Sequence, residues 1–399
     1  MKHTLDQLSN HPNELARHYS HFRVDERLLL TGHSHQAWPD VARLGMEQAW
    51  ADAAALVDDK WGPAFMKAQA VRDGYARLID DENGHIVLAP NTHDLLLRFL
   101  SALPWSKKKK IIMTDGEFHT ARRQLTRLEE EGVVIIRIPS YPVDQVAWRI
   151  IESLDDQTAA VIVSAVFYET GLIVPGLDLI AKACLEKNIE LLIDAYHAVN
   201  VIPFSVKQLG LQQAFIVGGG YKYCQLGEGN CFMRFPADCQ LRPIITGWFS
   251  EFSLLAKKNS GNTSYGQGPD LFAGSTYDPV SHYRAAEVFR FFEEHELSPA
   301  FLRDVSQHQI GLMTDTFLEF DLPEEIITVD SSVSLADRAG FLVFITDFAG
   351  RIHDKLKLAG VLTDYRGKSL RFGPAPYLSD SQLKNAIGIL NEVVKTGQY

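Results

Sequence analysis

The sequence is short of cysteine, of long apolar runs and of positive charge, and each shortage narrows what the chain can be. Four cysteines occur in 399 residues, at 184, 224, 231 and 239. None form a Cys-x-x-Cys pair, and a chain this long can bury a core without disulfide staples. No stretch approaches the ~20 apolar residues of a membrane-spanning helix. Met1 to Ser20 is polar and rich in histidine, without the apolar core of a secretory signal. A reduced cytoplasmic protein, with no membrane partner, is the expectation. The formal net charge of −11 offers no general basic field to a nucleic-acid backbone, so no nucleic-acid partner is expected either. The dense basic run Lys107–Lys110 precedes apolar Ile111-Ile112-Met113 and reads as a solvated lead-in to a strand.

No repeat and no low-complexity segment is present. With 46% hydrophobic and 22% charged residues, the chain has the balance of an ordinary globular protein. Strand-like runs at Ile86–Ala89, Lys110–Thr114, Val133–Ile138, Ala160–Ala165, Glu190–Asp194, Phe215–Val217 and Cys231–Phe235 lack polar alternation, as strands covered on both faces do. Helical stretches at Thr92–Leu103, Thr120–Glu131, Val143–Ser153 and Leu177–Lys187 lie between them. Strand-then-helix order predicts an α/β fold with a mostly parallel sheet flanked by helices. Near residue 280 the pattern changes. A long helix, Val280–His295, leads into a smaller α+β unit with strands Gly340–Thr346 and Ser369–Phe372 and helices Phe348–Ala359 and Ser379–Lys395. The expected division is an N-terminal segment 1–30, a large domain 31–280 and a small C-terminal domain 281–399. Lys257–Pro269, rich in Gly, Asn, Ser and Gln, reads as a loop.

Two segments carry chemistry. In Leu191-Leu-Ile-Asp-Ala-Tyr-His197 an apolar strand ends in Asp194, with His197 just beyond. Ligands of an open parallel sheet bind beyond the carboxyl ends of its strands, where an aspartate can pair with a cationic ring nitrogen; it can equally cap a helix. In Val217-Gly-Gly-Gly-Tyr-Lys-Tyr223 a strand runs into glycines that allow close approach of a large ligand. A lysine amine held there can form an imine if it is kept neutral; the bland reading is a glycine turn with an exposed lysine. Together the two segments point to pyridoxal 5'-phosphate, whose ring needs an acidic partner to accept electrons.

Asp194-Ala-Tyr-His197 and Tyr221-Lys222-Tyr223, followed by Gly227 and Gly229, resemble the cofactor motifs of kynureninases, in the class V aminotransferase group of fold-type I pyridoxal-phosphate enzymes. The resemblance runs from about Leu30 to Tyr377. It takes in Ser164 with Thr170-Gly171, Gly247-Trp-Phe249, Gly274-Ser-Thr276 and Leu370-Arg-Phe-Gly-Pro-Ala-Pro376. It implies that Lys222 carries the cofactor and shuttles protons, and that Asp194 holds the ring nitrogen. Phe118 would stack on the ring. Thr92 and His93 would hold the phosphate at a helix N-terminus, which favours an anion in any family. Tyr221 and Trp248 would reach the phosphate region, and Ser164 and His197 would line the cofactor. Thr276 would come from the second subunit of a homodimer. Arg371 would clamp the α-carboxylate of an amino-acid substrate. Phe118 and Trp248 also read as packing aromatics, and Arg371 as half of a structural ion pair.

The chain departs from the kynureninase pattern in three places. His33 follows Gly32 where those enzymes carry Asn. Glu251 stands where they carry a histidine after Gly-Trp. Phe118-His-Thr-Ala121 lacks the aspartate of their Phe-Pro-Ser/Thr-Asp. The implied reaction is hydrolytic Cβ–Cγ cleavage in amino-acid metabolism, with Tyr221 protonating the departing carbon. Transamination and Cβ–S lysis on the same cofactor are the alternatives, and a non-catalytic binding protein is a further one. A desulfurase is disfavoured because no cysteine follows Cys239. His33 and His35, at i, i+2 without nearby cysteine or acidic residues, do not make a zinc site, and no metal is expected.

Overall fold

A computed structural model describes residues 2–255, 261–330 and 332–397. Its centre is a seven-stranded sheet of β1 (His85–Ala89), β2 (Lys110–Thr114), β3 (Val134–Ile138), β4 (Thr158–Ser164), β5 (Glu190–Asp194), β6 (Phe215–Gly219) and β7 (Cys231–Phe235). The spatial order is β1-β7-β6-β5-β4-β2-β3. Only β7 is reversed, running antiparallel to β1 and β6; the remaining pairs are parallel. Alternate residues point to opposite faces of a strand, and both faces here are apolar. Ile112, Val161, Val163, Ile193 and Ile216 join one core. Ile111, Ala160, Ile162, Leu192 and Val217 join the other. That is why the strands read as unbroken apolar runs.

Register sets the functional edge. Ser164 pairs with Asp194, and Asp194 pairs with Val217, so β4, β5 and β6 end side by side. β6 continues into Gly218 and Gly219, past the Val217 end read from the sequence. Those glycines remain in the ladder with Phe232 and Cys231.

A second, antiparallel sheet joins Thr328–Val329, Leu342–Ile345, Asp364–Arg366 and Ser369–Phe372. Helices Pro299–Leu318, Ala349–Leu358 and Asp380–Lys395 pack around it. The last begins with a capping box, Ser379 and Gln382 satisfying each other's backbone donors. The N-terminal segment is tied to this unit. Leu28–Leu29 pairs in parallel with Val361–Leu362, and Thr31 bridges Gly373. Backbones approach so closely there that a Cβ on Gly32 would meet the Pro374 oxygen at 2.4 Å. The helix expected from residue 280 spans Val280–Glu294 and packs on two helices not expected from the sequence, Val41–Leu56 and Trp61–Leu78. Of the loop expected at Lys257–Pro269, residues 257–260 lie outside the described residues; 261–267 form no regular element, and Gly268–Phe272 makes a short 3-10 turn. Among the described residues no helix is long and apolar enough to cross a membrane.

Candidate active site

Beyond β6, Gly220 and Tyr221 lead to Lys222, whose side chain is buried. Its amine lies 2.7 Å from His197 Nε2. It sits 4.4 Å above the Tyr196 ring and 5.6 Å from that of Phe118. Burial penalises the ammonium and holds the Lys222 pKa down at about 7, with Asp194 opposing the shift and Arg371 reinforcing it. The same burial holds His197 well below the usual imidazole range, assisted by the Lys222 charge. A neutral amine is therefore accessible at Lys222 near neutral pH, the form a nucleophilic lysine needs.

Asp194 ends β5, and its Oδ1 accepts from the Tyr196 amide at 2.9 Å. Burial raises its carboxyl above the usual range, although the Tyr196 bond and Lys222 oppose this. Ser164 comes next to Asp194 in register but turns its hydroxyl away. Ser164 Oγ donates to Glu117 Oε2 at 2.6 Å. Glu117 Oε1 accepts from the Ser164 amide at 3.0 Å and from Thr114 Oγ1 at 2.6 Å. Burial pushes the Glu117 carboxyl up to about 7 against those hydrogen bonds, and Asp194 adds to the rise. The sequence reading assigned Glu117 nothing. The available signal was an acid directly before Phe118, three residues after the strand-ending Thr114.

Phe118 begins the helix His119–Glu130 and makes an edge contact with Tyr168, their centroids 5.3 Å apart. The helix Thr92–Ala102 is capped by Asn91, whose side chain accepts from the Asp94 amide at 2.9 Å. The amides of Thr92 and His93 lie in its first turn, where a helix presents donors that suit an anion, and the Thr92 amide also faces the Cys231 thiol. Tyr221 stacks on His35 at 4.8 Å and leans on Tyr196 at 4.9 Å. Burial keeps its phenol above the usual range. Trp248 and Thr276 are bonded to each other, Nε1 to Oγ1 at 3.1 Å. Among the described residues no hydrogen bond or ring contact joins either of them to Lys222, Asp194 or Phe118. The two N-terminal histidines diverge: His35 is exposed against Tyr221, whereas His33 is buried and its Nε2 meets Asp364 Oδ1 at 2.7 Å.

Arg371 is buried and lies opposite Val343 and Asp364 in the small sheet. Its Nε and Nη2 donate to the two Asp364 oxygens at 2.8 and 2.5 Å, and Nη1 donates to the Tyr168 carbonyl. The ion pair that the sequence left open is thus present.

These residues fit pyridoxal phosphate. The group needs an amine for its aldehyde, an acid for its ring nitrogen, a face to stack on and donors for its phosphate. Lys222, Asp194, Phe118 and the amides of Thr92 and His93 would supply those functions at one sheet edge. Two polar atoms there remain open: His197 Nδ1 is buried without a partner, and Asp194 Oδ2 accepts no hydrogen bond from the described residues.

A mostly parallel sheet with a buried lysine and an aspartate at neighbouring strand ends defines a pyridoxal-phosphate enzyme of fold type I. Within that class the chain belongs to the aminotransferase class-V family, whose sequence profile matches residues 62–295. A kynureninase of Bacillus mycoides is 25% identical over 263 residues, covering 63% of this chain and 58% of the relative. An uncharacterized aminotransferase of Bacillus subtilis is 26% identical over 245 residues, covering 60% and 62%. A cysteine desulfurase of Rickettsia bellii is 28% identical over 184 residues, covering 45% and 44%. The match therefore spans less than two thirds of each relative's length. Among solved structures, a cysteine desulfurase of Thermococcus onnurineus superposes with a TM-score of 0.76 at 15% identity, covering 93% of this chain and 96% of the other. A C-DES mutant with glycine covalently linked to the PLP cofactor gives 0.79 at 14%, covering 94% and 98%. At such identities the superpositions establish the fold alone.

Proposed function

We propose that this class V enzyme acts on an α-amino acid and cleaves its Cβ–Cγ bond hydrolytically, as a kynureninase does. The observation that carries the reading is the buried Lys222 amine, held near neutrality between His197, Tyr196 and Phe118, with Asp194 on the adjoining strand. When bound, pyridoxal phosphate supplies an electron-accepting ring that stabilises negative charge at a substrate carbon. Lys222 would hold it covalently and move the proton at the substrate α-carbon. Asp194 would keep the ring nitrogen protonated, Phe118 would cover one ring face, and Ser164 and His197 would line the pocket. The Thr92 and His93 amides would take the phosphate, with Tyr221 and Trp248 nearby. Arg371 would take the α-carboxylate. Tyr221, a phenol kept protonated by burial, would give its proton to the departing carbon.

Transamination or Cβ–S lysis on the same residues is the second reading, favoured by the low-identity aminotransferase and desulfurase relatives. A desulfurase using one of the chain's own thiols is not favoured. Burial pushes Cys184 and Cys231 up to about 12 and Cys239 to about 11, and raises Cys224 too, so none is a ready thiolate. The proposal includes a cytoplasmic homodimer with residues 1–30, 31–280 and 281–399 as its parts and Thr276 reaching the partner's site. Incubation with kynurenine, cysteine and common amino acids, followed by mass spectrometry, separates the readings. Alanine plus an aromatic acid marks Cβ–Cγ hydrolysis, glutamate formed from added 2-oxoglutarate alongside the substrate's keto acid marks transamination, and sulfide marks Cβ–S lysis.

A further inference from the structure

Arg371 does not wait as a free cation. Its Nε–Nη2 edge is already filled by both oxygens of Asp364. Asp364 faces it across the antiparallel pair, seven residues earlier in the chain. Asp364 Oδ1 also meets His33 Nε2 at 2.7 Å. His33 is fully buried and stacks on Phe341 at 4.6 Å. The Arg371 guanidinium lies 5.8 Å from the same ring, and His197 also packs beside it at 5.8 Å. One aromatic ring thus touches His33, Arg371 and the histidine that contacts Lys222.

The charge states follow from burial. Burial alone would raise the Asp364 carboxyl, but the hydrogen bonds from His33 and Arg371, with the Arg371 charge, outweigh it and hold Asp364 well below the usual range. Burial also lowers His33 to about 4, so near neutral pH it is an uncharged donor through Nε2–H. His33 therefore contributes direction rather than charge.

A guanidinium has five N–H donors. Asp364 takes two of them and the Tyr168 carbonyl a third. One donor is left on each terminal nitrogen, and a single carboxylate can accept from both. We infer that Asp364 and His33 are positioning residues that lock Arg371 with a single edge open, so that it reads the α-carboxylate of an amino acid end-on. Two effects of Asp364 compete. Its charge repels a second carboxylate, while its fork prevents a long side chain from sampling other rotamers. In a buried site held by bidentate geometry the fork dominates, because a guanidinium released from it would have to desolvate and reorient on each binding event.

The inference rests on the proposed site, and its test distinguishes the two. Holoenzyme is titrated with L-alanine and with ethylamine, its counterpart without a carboxylate, and binding is read from the cofactor absorbance. Borohydride trapping at Lys222 is the control. In D364N, which preserves shape but removes the ion pair, L-alanine should bind roughly ten- to a hundredfold more weakly and ethylamine about as in the parent. H33A should behave like D364N, and H33Q, whose amide can donate to Asp364, should restore most of the affinity. Thermal melts report folding for each variant. Tighter L-alanine binding in D364N would mean that Asp364 competes with substrate, and equal loss of both ligands would make it merely structural; either overturns the inference while the Lys222 site stands. Unchanged L-alanine binding in H33A removes His33 from it. If the parent shows no Lys222 adduct, the site reading falls and the inference with it.

Discussion

Lys222 Nζ and His197 Nε2 lie 2.7 Å apart with both side chains buried. Two groups that are ordinarily cationic or near it can share that distance because burial moves both toward neutrality. A neutral imidazole accepts from the ammonium or donates to the amine, so a proton can reside on Lys222 or leave it without opening the pocket.

The first prediction concerns cofactor-free protein. A lysine whose native pKa is about 7 against 10.5 ordinarily binds fewer protons folded than unfolded between those values. Stability should therefore rise with pH across that window. Relative to Lys222→Met, the parent should gain stability as pH increases from 7 to 9.5, measured by denaturant titration. A difference independent of pH would show that Lys222 keeps its ordinary proton affinity.

Glu117 carries the opposite slope. Its native pKa of about 7 against 4.5 ordinarily means that the folded protein binds more protons in that interval, so its stability falls as pH rises through it. Glu117→Gln can still accept from Thr114 and the Ser164 amide. It should be the less pH-sensitive protein between pH 5 and 7.5. Parallel stability curves for the two proteins would refute a protonated Glu117.

Asp194→Asn should keep Lys222 reactive but hold the cofactor more loosely, by about 1.5–3 kcal/mol, the worth of a hydrogen bond to a charged group. Equilibrium dialysis against pyridoxal phosphate measures it, and an unchanged affinity would place the ring-nitrogen partner elsewhere.

Thr276 tests the assembly. A mixture of Lys222→Ala and Thr276→Ala subunits, unfolded and refolded together, should contain hybrids with one intact site if Thr276 serves the partner's cofactor. Activity should then exceed that of either variant alone. No gain in a demonstrated hybrid would put Thr276 in its own subunit's site or outside both.

The placement of Asp194 at a strand end and of Lys222 just beyond the adjoining one was legible because the unbroken apolar runs declared a parallel sheet. Asp364 and His33 were not. Their meeting with Arg371 depends on hairpin register and on an N-terminal segment laid against a strand more than 330 residues later. The sequence posed Arg371 as clamp or ion pair, and the structure shows the pair. Helices Val41–Leu56 and Trp61–Leu78 escaped notice for a different reason. Trp50 is 81% exposed and Met66 69%, so apolar residues on the outer surface blur the stripe that marks a helix.

The most direct measurement is borohydride reduction of the holoenzyme followed by peptide mapping. The account predicts loss of the cofactor absorbance and a single reduced pyridoxyl adduct, on Lys222. An adduct on another lysine, or protein that takes up no pyridoxal phosphate, would contradict it.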